Sequence, residues 1–166
     1  MKFSLVAVGF ASLAAAAPLA ARQSSVFSTQ TYNQLSISGG TAGNAKQEAL
    51  QKLAGLPADL AQVSKADLDF LNSVNQIAND AETDAFNPAI EAASGSAADS
   101  LQCGKIKNKV LKLTATVLKL QAQEAQGSDV AAKLATEQKK LDNNIKLDQA
   151  KAGNPCTALK FDASTK

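Results

Sequence analysis

Two cysteines, Cys103 and Cys156, are the whole thiol complement of the chain. A disulfide between them is one outcome; free thiols or an intermolecular bridge are the others. Asp80, Glu82, Asp84 and Glu91 stand at relative positions one, three, five and twelve, the spacing of a calcium-binding loop. Yet the sixth position, where such a loop turns on glycine, is Ala85, and the ninth is Pro88. The stretch also continues an upstream helical pattern. A solvated acidic face near a helix end is therefore expected, with calcium as the weaker reading. Lys105, Lys109, Lys112 and Lys119 fall on one face of a long helical pattern and form a candidate surface for anions. The competing expectation is a solvated face, partly paired with acidic neighbours.

Other chemistries are excluded by what is missing. The chain has no histidine. That removes Ser-His-Asp and Cys-His nucleophiles and the usual ligand of zinc and copper sites. No G-x-x-x-x-G-K or G-x-G-x-x-G motif occurs. Gly39, Gly40 and Gly43 form a joint before a helix whose N-terminus could hold an anion. No lysine completes a phosphate loop there, so a plain turn is expected. With six Phe, one Tyr and no Trp, little is available to line a sugar cleft for paired-carboxylate hydrolysis. Nothing along the lysines can stack on bases. The expectation is no enzyme, no cofactor and no nucleic-acid partner.

The elements that must position these residues are helical. The chain is rich in Ala, Leu, Lys, Gln and Asp, the composition of a bundle. From about Ala97 to Gln126, Cys103, Ile106, Val110, Leu113, Val117 and Leu120 recur at alternating steps of three and four. Leu111 and Leu118 occupy an adjoining arc, so burial on two sides is expected, with the lysines on the remainder. Gly127 stops this helix. Ser128 caps the next, which runs to Ala152 and offers Val130, Leu134, Leu141, Ile145 and Leu147 to the core. Gly153 and Asn154-Pro155 end it. So short a joint implies an antiparallel pair. Cys103 to Gly127 and Asp129 to Gly153 both span 24 residues, about 36 Å at helical rise. The hairpin thus brings Cys156 back to the level of Cys103, and one intramolecular disulfide is the expected outcome.

Upstream, a helix from Ala45 to Ala54 is expected, with Ala49, Leu50 and Leu53 inward, a Glu48–Lys52 pair outward and Gly55 as its stop. Another begins at Ser64, with Asp67 close to a capping box, and turns Phe70, Val74, Ile77, Ala81 and Ala85 inward. Asn87-Pro88 reads as a break before a short helix to Ala93. Residues 17–40 read as an extended arm whose Tyr32, Leu35 and Ile37 lie on the bundle. Leu159 and Phe161 alternate in a tail that could lie extended beside Leu35 and Ile37, though two apolar residues are a weak strand signal. The expected fold class is all-α: an antiparallel helical bundle on a long two-helix hairpin, closed by one disulfide, in a single domain over 41–166.

Lys2 and the apolar run Phe3–Ala17, with Ala14-Ala15-Ala16, read as a signal peptide over 1–16, too short to span a bilayer comfortably. No later stretch reads as transmembrane, and a secreted location is expected, which suits a disulfide. The formal charge of +2 hides an asymmetry: four basic and nine acidic residues lie in 22–100, twelve and six in 101–166. Acidic helices packing beside basic ones is the favoured explanation, a bipolar binding surface the other.

The segments ISGGTAGNAKQEAL, NDAETDAFNPAIEAASG, GKIKNKVLKLTATVLKLQAQEAQG and QKKLDNNIKLDQAKAG resemble a group of small secreted proteins of filamentous fungi, over nearly the whole mature chain. The resemblance implies an effector-like or cell-wall-associated protein, with no catalytic motif to carry over. A likeness in class alone is to fungal hydrophobic-surface-binding and lipid-binding wall proteins. The expected function is a non-enzymatic interaction protein of the wall or of the host or environmental interface, with wall polysaccharide, host protein or lipid as partner. The alternative is an extracellular carrier of lipid or another apolar ligand.

Overall fold

The computed structural model describes residues 24–166; the signal peptide read over 1–16 and the first part of the arm lie outside them. The described residues are helical, with two isolated antiparallel bridges, Thr31–Ser164 and Thr41–Pro155, and no strand. The helices are α1 (Tyr32–Leu35), α2 (Ala45–Lys52), α3 (Lys65–Ala81), α4 (Asn87–Glu91), α5 (Gly95–Ala125) and α6 (Ala131–Gln149). A 3-10 turn, Leu60–Gln62, precedes α3, and a π turn, Glu82–Phe86, joins α3 to α4.

The other helices are arranged around α5. α2, α3, α4 and α6 all pack on it. Its interior surface is wider than the two arcs expected. Besides Val110, Leu111, Leu113, Val117 and Leu120, it buries Lys107, Asn108, Thr114 and Thr116. The two threonines tolerate this because their hydroxyls donate to carbonyls one turn back, Val110 O at 2.7 Å and Lys112 O at 2.9 Å.

Lys107 is only 1 % exposed. Its ammonium donates to the carbonyls of Gly39 and Thr41 and pairs with Glu48 at 2.9 Å. Glu48 therefore pairs with α5, not with Lys52, which reaches back to the Gln34 carbonyl. One buried charge thus ties the arm, α2 and α5 together, and stranding Glu48 and two carbonyls would be the cost of its loss. Beside it, Asn108 accepts from the Tyr32 hydroxyl at 2.9 Å and donates to the Ala78 carbonyl of α3 at 2.8 Å. Burial pushes the Tyr32 phenol above its ordinary value. The neutral form is favoured in the fold, so this contribution to stability is intact below about pH 10 and is lost as pH rises through the raised value. Tyr32 is the chain's one tyrosine, with no tryptophan beside it, so its ultraviolet band reports it alone. In an alkaline titration tyrosinate is expected to form together with loss of helical circular dichroism. Ionisation at the ordinary value with the helix signal intact would contradict the burial.

α3 begins as its sequence implies. Ser64 Oγ accepts from the Asp67 amide at 3.1 Å and donates to Asp67 Oδ2 at 2.7 Å. Asp67 Oδ1 also takes Ser25 Oγ and the amides of Val26 and Phe27, which sets Phe27 flat against Phe70 at 4.4 Å. Burial acts to raise the Asp67 carboxyl, but the hydrogen bonds from Ser25, Ser64, Phe27 and Val26 outweigh it and hold it below its usual range. At the far end the expected break is absent. Pro88 has no N–H to donate, and the wide π turn before it carries the helix on into α4. The extra residue in that turn moves the inward face from Ala85 to Phe86, which is fully buried.

α2 and α6 also depart from their patterns. Ala45, Ala49 and Leu53 face inward, while Leu50 and Leu147 are each 44 % exposed. α6 starts at Ala131, not after Ser128, and no side chain caps it. Its inner face mixes Leu141 and Ile145 with Asn144 and Asp148. Asp148 Oδ2 accepts from the Ala45 amide at 2.9 Å, so the anion at the N-terminus of α2 is the protein's own carboxylate.

Arm and tail close the molecule together. Cys103 on α5 is bonded to Cys156 in the tail, with Cα atoms 4.9 Å apart. The Cys156 amide donates to Gly40 O, and that of Thr157 to Ser100 O. Phe161 meets Tyr32 edge-on at 5.8 Å, the Tyr32 amide donates to Ala163 O, and the Thr165 amide to Gln30 O. Gly104 lies under this crossing. A Cβ there would stand 2.1 Å from the Thr157 carbonyl oxygen and 3.1 Å from that of Ser38.

Candidate functional site

The lysines singled out by spacing do not lie on an open face. Lys109 and Lys112 line a groove of about 290 Å³ with Asn75, Asn79, Leu113, Glu137, Lys140 and Asn144. Lys119 lines an adjoining groove of about 210 Å³ with Leu71, Asn72, Asn75, Thr116, Lys133 and Glu137. The two share Asn75 and Glu137. They form one polar channel floored by α5 and walled by α3 and α6. Lys105 stands apart from it, donating to Asn87 Oδ1 at 2.6 Å.

Most of the charges along the channel are already paired. Glu82, at the π turn, binds Lys112 at 2.7 Å and Lys109 at 3.2 Å. Burial opposes its charge, but the hydrogen bond and charge of Lys112, with the charge of Lys109, keep its carboxyl below the usual range. Lys140 pairs with Glu137 at 2.8 Å. Lys119 meets an amide oxygen, Asn72 Oδ1, at 2.8 Å. Asn75 donates to Thr116 Oγ1 at 2.7 Å. Acidic Glu48 and Glu82 thus meet lysines of α5.

The acidic spacing from Asp80 to Glu91 does not make a calcium loop. Asp80 ends in α3, Glu82 and Asp84 sit in the π turn, and Glu91 ends α4. Nor is it a uniformly solvated face, since Glu82 turns in toward the lysines. Among the described residues no three acidic or cysteine side chains converge to hold a metal ion.

Spacing within α5 alone could not show the channel. Its walls were nonetheless written in two other stripes: Asn72, Asn75 and Asn79 on α3, and Lys133, Glu137, Lys140 and Asn144 on α6, each at helical intervals. A second, open groove of about 530 Å³ lies between α2 and α6. Leu50, Ala54 and Ile145 are its apolar lining, among Asn44, Lys46, Gln47 and Gln149. Asp148 also lines it, with Oδ1 buried and unpaired.

No described helix is long and apolar enough to cross a membrane. The chain is thus a helical, disulfide-bridged domain with a lysine–asparagine channel over its central helix. It belongs to the family described as a domain of unknown function, DUF8454, whose model matches residues 27–160, from the arm through the tail segment beyond the disulfide. No curated protein and no solved structure matches it.

Proposed function

We propose that the protein is a secreted, non-enzymatic interaction protein of the fungal cell wall or the host or environmental interface, and that its channel takes an anionic polymer chain such as wall polysaccharide. The observation that carries this reading is the channel's charge: Lys109, Lys112, Lys119, Lys133 and Lys140 stand against Glu82 and Glu137. Asparagine amides between the lysines supply donors and acceptors for hydroxyl groups. The scaffold is read as an antiparallel hairpin of α5 and α6, supported by the short joint over 126–130 and by the bond from Cys103 to Cys156. Export is supported by that disulfide and by the signal-peptide pattern over 1–16. The carrier alternative has less support, because the groove between α2 and α6 offers an acyl chain only three apolar side chains.

Binding to carboxymethyl dextran and dextran sulfate tests the reading against neutral dextran. Affinity for the two charged polymers is expected to fall with salt. Changing Lys109, Lys112 and Lys119 to Gln should weaken it about tenfold or more, while Lys105→Gln, away from the channel, should leave it unchanged. Unchanged affinity in a triple variant that keeps its helical signal would remove the channel as the site.

A further inference from the structure

Two lysines of the channel, Lys119 and Lys133, meet at one end of it, and among the described residues neither has an ion-pair partner. Both line the groove of about 210 Å³. Lys109 and Lys112 share Glu82, Lys107 has Glu48, and Glu137, the one carboxylate lining that groove, is engaged by Lys140. Among the described residues Lys119 meets the Asn72 amide oxygen, and Lys133 forms no ion pair. Lys119 is half-buried, so its ammonium has lost part of its hydration without gaining an ion. Asn72, Asn75 and Thr116 line the same recess.

Resting on the anionic-polymer reading, we infer that this end of the channel is a seat for a tetrahedral oxyanion, the sulfate or phosphate monoester of a substituted saccharide. Two ammonium groups and neighbouring amides match an anion with several equivalent oxygens spread in three dimensions. A planar carboxylate would engage fewer of them. The recess is large enough for such a group, and Leu71 at its side suits the sugar carbon that bears it. Burial and then the repulsion of Lys133 lower the Lys119 ammonium, with Asp69 acting weakly the other way. An oxyanion between the lysines relieves that repulsion. The same chemistry occurs on phosphate-monoester lipids. A saccharide is favoured because Lys119 lies in a recess, where a substituent on a chain can enter and a flat bilayer surface cannot.

The test has three arms, all on the full mature chain. In the first, inorganic phosphate is titrated while backbone amides are followed by nuclear magnetic resonance. Thr116, Lys119 and Lys133 should shift, and the response should vanish in Lys119→Gln/Lys133→Gln. It should persist in Lys139→Gln/Lys146→Gln, which removes the same charge from the exposed side of α6. In the second, dextran sulfate should bind about tenfold more tightly than carboxymethyl dextran of equal charge density, and only the Lys119/Lys133 variant should lose that preference. In the third, vesicles containing phosphatidic acid should bind no better than the charge-matched control. Shifts elsewhere, equal affinity for the two polymers, or binding to vesicles alone would overturn the seat. If both charged polymers bind equally, the channel stands and only the seat falls. If neither binds, the broader reading fails too.

Discussion

Replacing Gly104 by alanine is expected to cost the fold about 3 kcal/mol, although the change adds a single methyl group to a helix. Helix propensity alone would make the same change favourable by up to about 1 kcal/mol. Packing decides the sign. The added carbon would stand 2.1 Å from the Thr157 carbonyl oxygen, and that atom belongs to backbone, which cannot rotate away as a side chain could. Its neighbour Cys156 is covalently held, and its own amide is bonded to Ser100 O. Ser38, on the opposite side, belongs to the buried part of the arm. Either the tail lifts from α5 or the arm does, and both carry buried side chains with them. Urea denaturation of Gly104→Ala against the parent checks this. A midpoint shift worth under about 1 kcal/mol would mean that the tail is not seated on α5 as described.

The second large effect is the removal of the disulfide. Cys103→Ala with Cys156→Ala opens a loop of sequence separation 53, which chain entropy values at about 4 kcal/mol. The helices should survive in this variant, since α3, α5 and α6 hold one another through Phe70, Leu71, Val74, Leu111, Val117, Leu141 and Ile145. The tail and the arm should loosen. Circular dichroism at low temperature would then be near native while the thermal midpoint drops. The two predictions are coupled. With the tail no longer tethered, the alanine at 104 has room, and its cost should shrink by about 1 kcal/mol or more in a double-mutant cycle. Strict additivity would show that the tether and the crossing act independently.

The sequence was most informative where one residue decides a local event. Ser64 and Asp67 cap α3, Phe70, Val74 and Ile77 face inward, and Cys103 joins Cys156, all as their types and spacing imply. It was least informative where an inserted residue or a buried polar group decides. The π turn has no signature beyond a proline two residues later, yet it swaps Phe86 for Ala85 in the core. Lys107 stands out in no spacing pattern, and lysine is usually a surface charge. Only the approach of Gly39, Thr41 and Glu48 makes its burial acceptable. Leu50 and Leu147 read as core because leucine usually is, but α2 and α6 lie at the periphery and bury only one narrow face each. The channel needed three helices placed side by side: the stripes that make its floor and walls stand in the chain, but nothing along it shows that they face one another.

The pairing of arm and tail has a consequence for biosynthesis. Thr31 and Thr41 find their bridge partners at Ser164 and Pro155, so the earliest described residues are completed by the last ones. During synthesis these residues wait for partners more than a hundred positions later, and contacts so distant along the chain form slowly. Until they form, the end of the molecule where Cys103 and Cys156 lie has neither the arm nor the tail to close it.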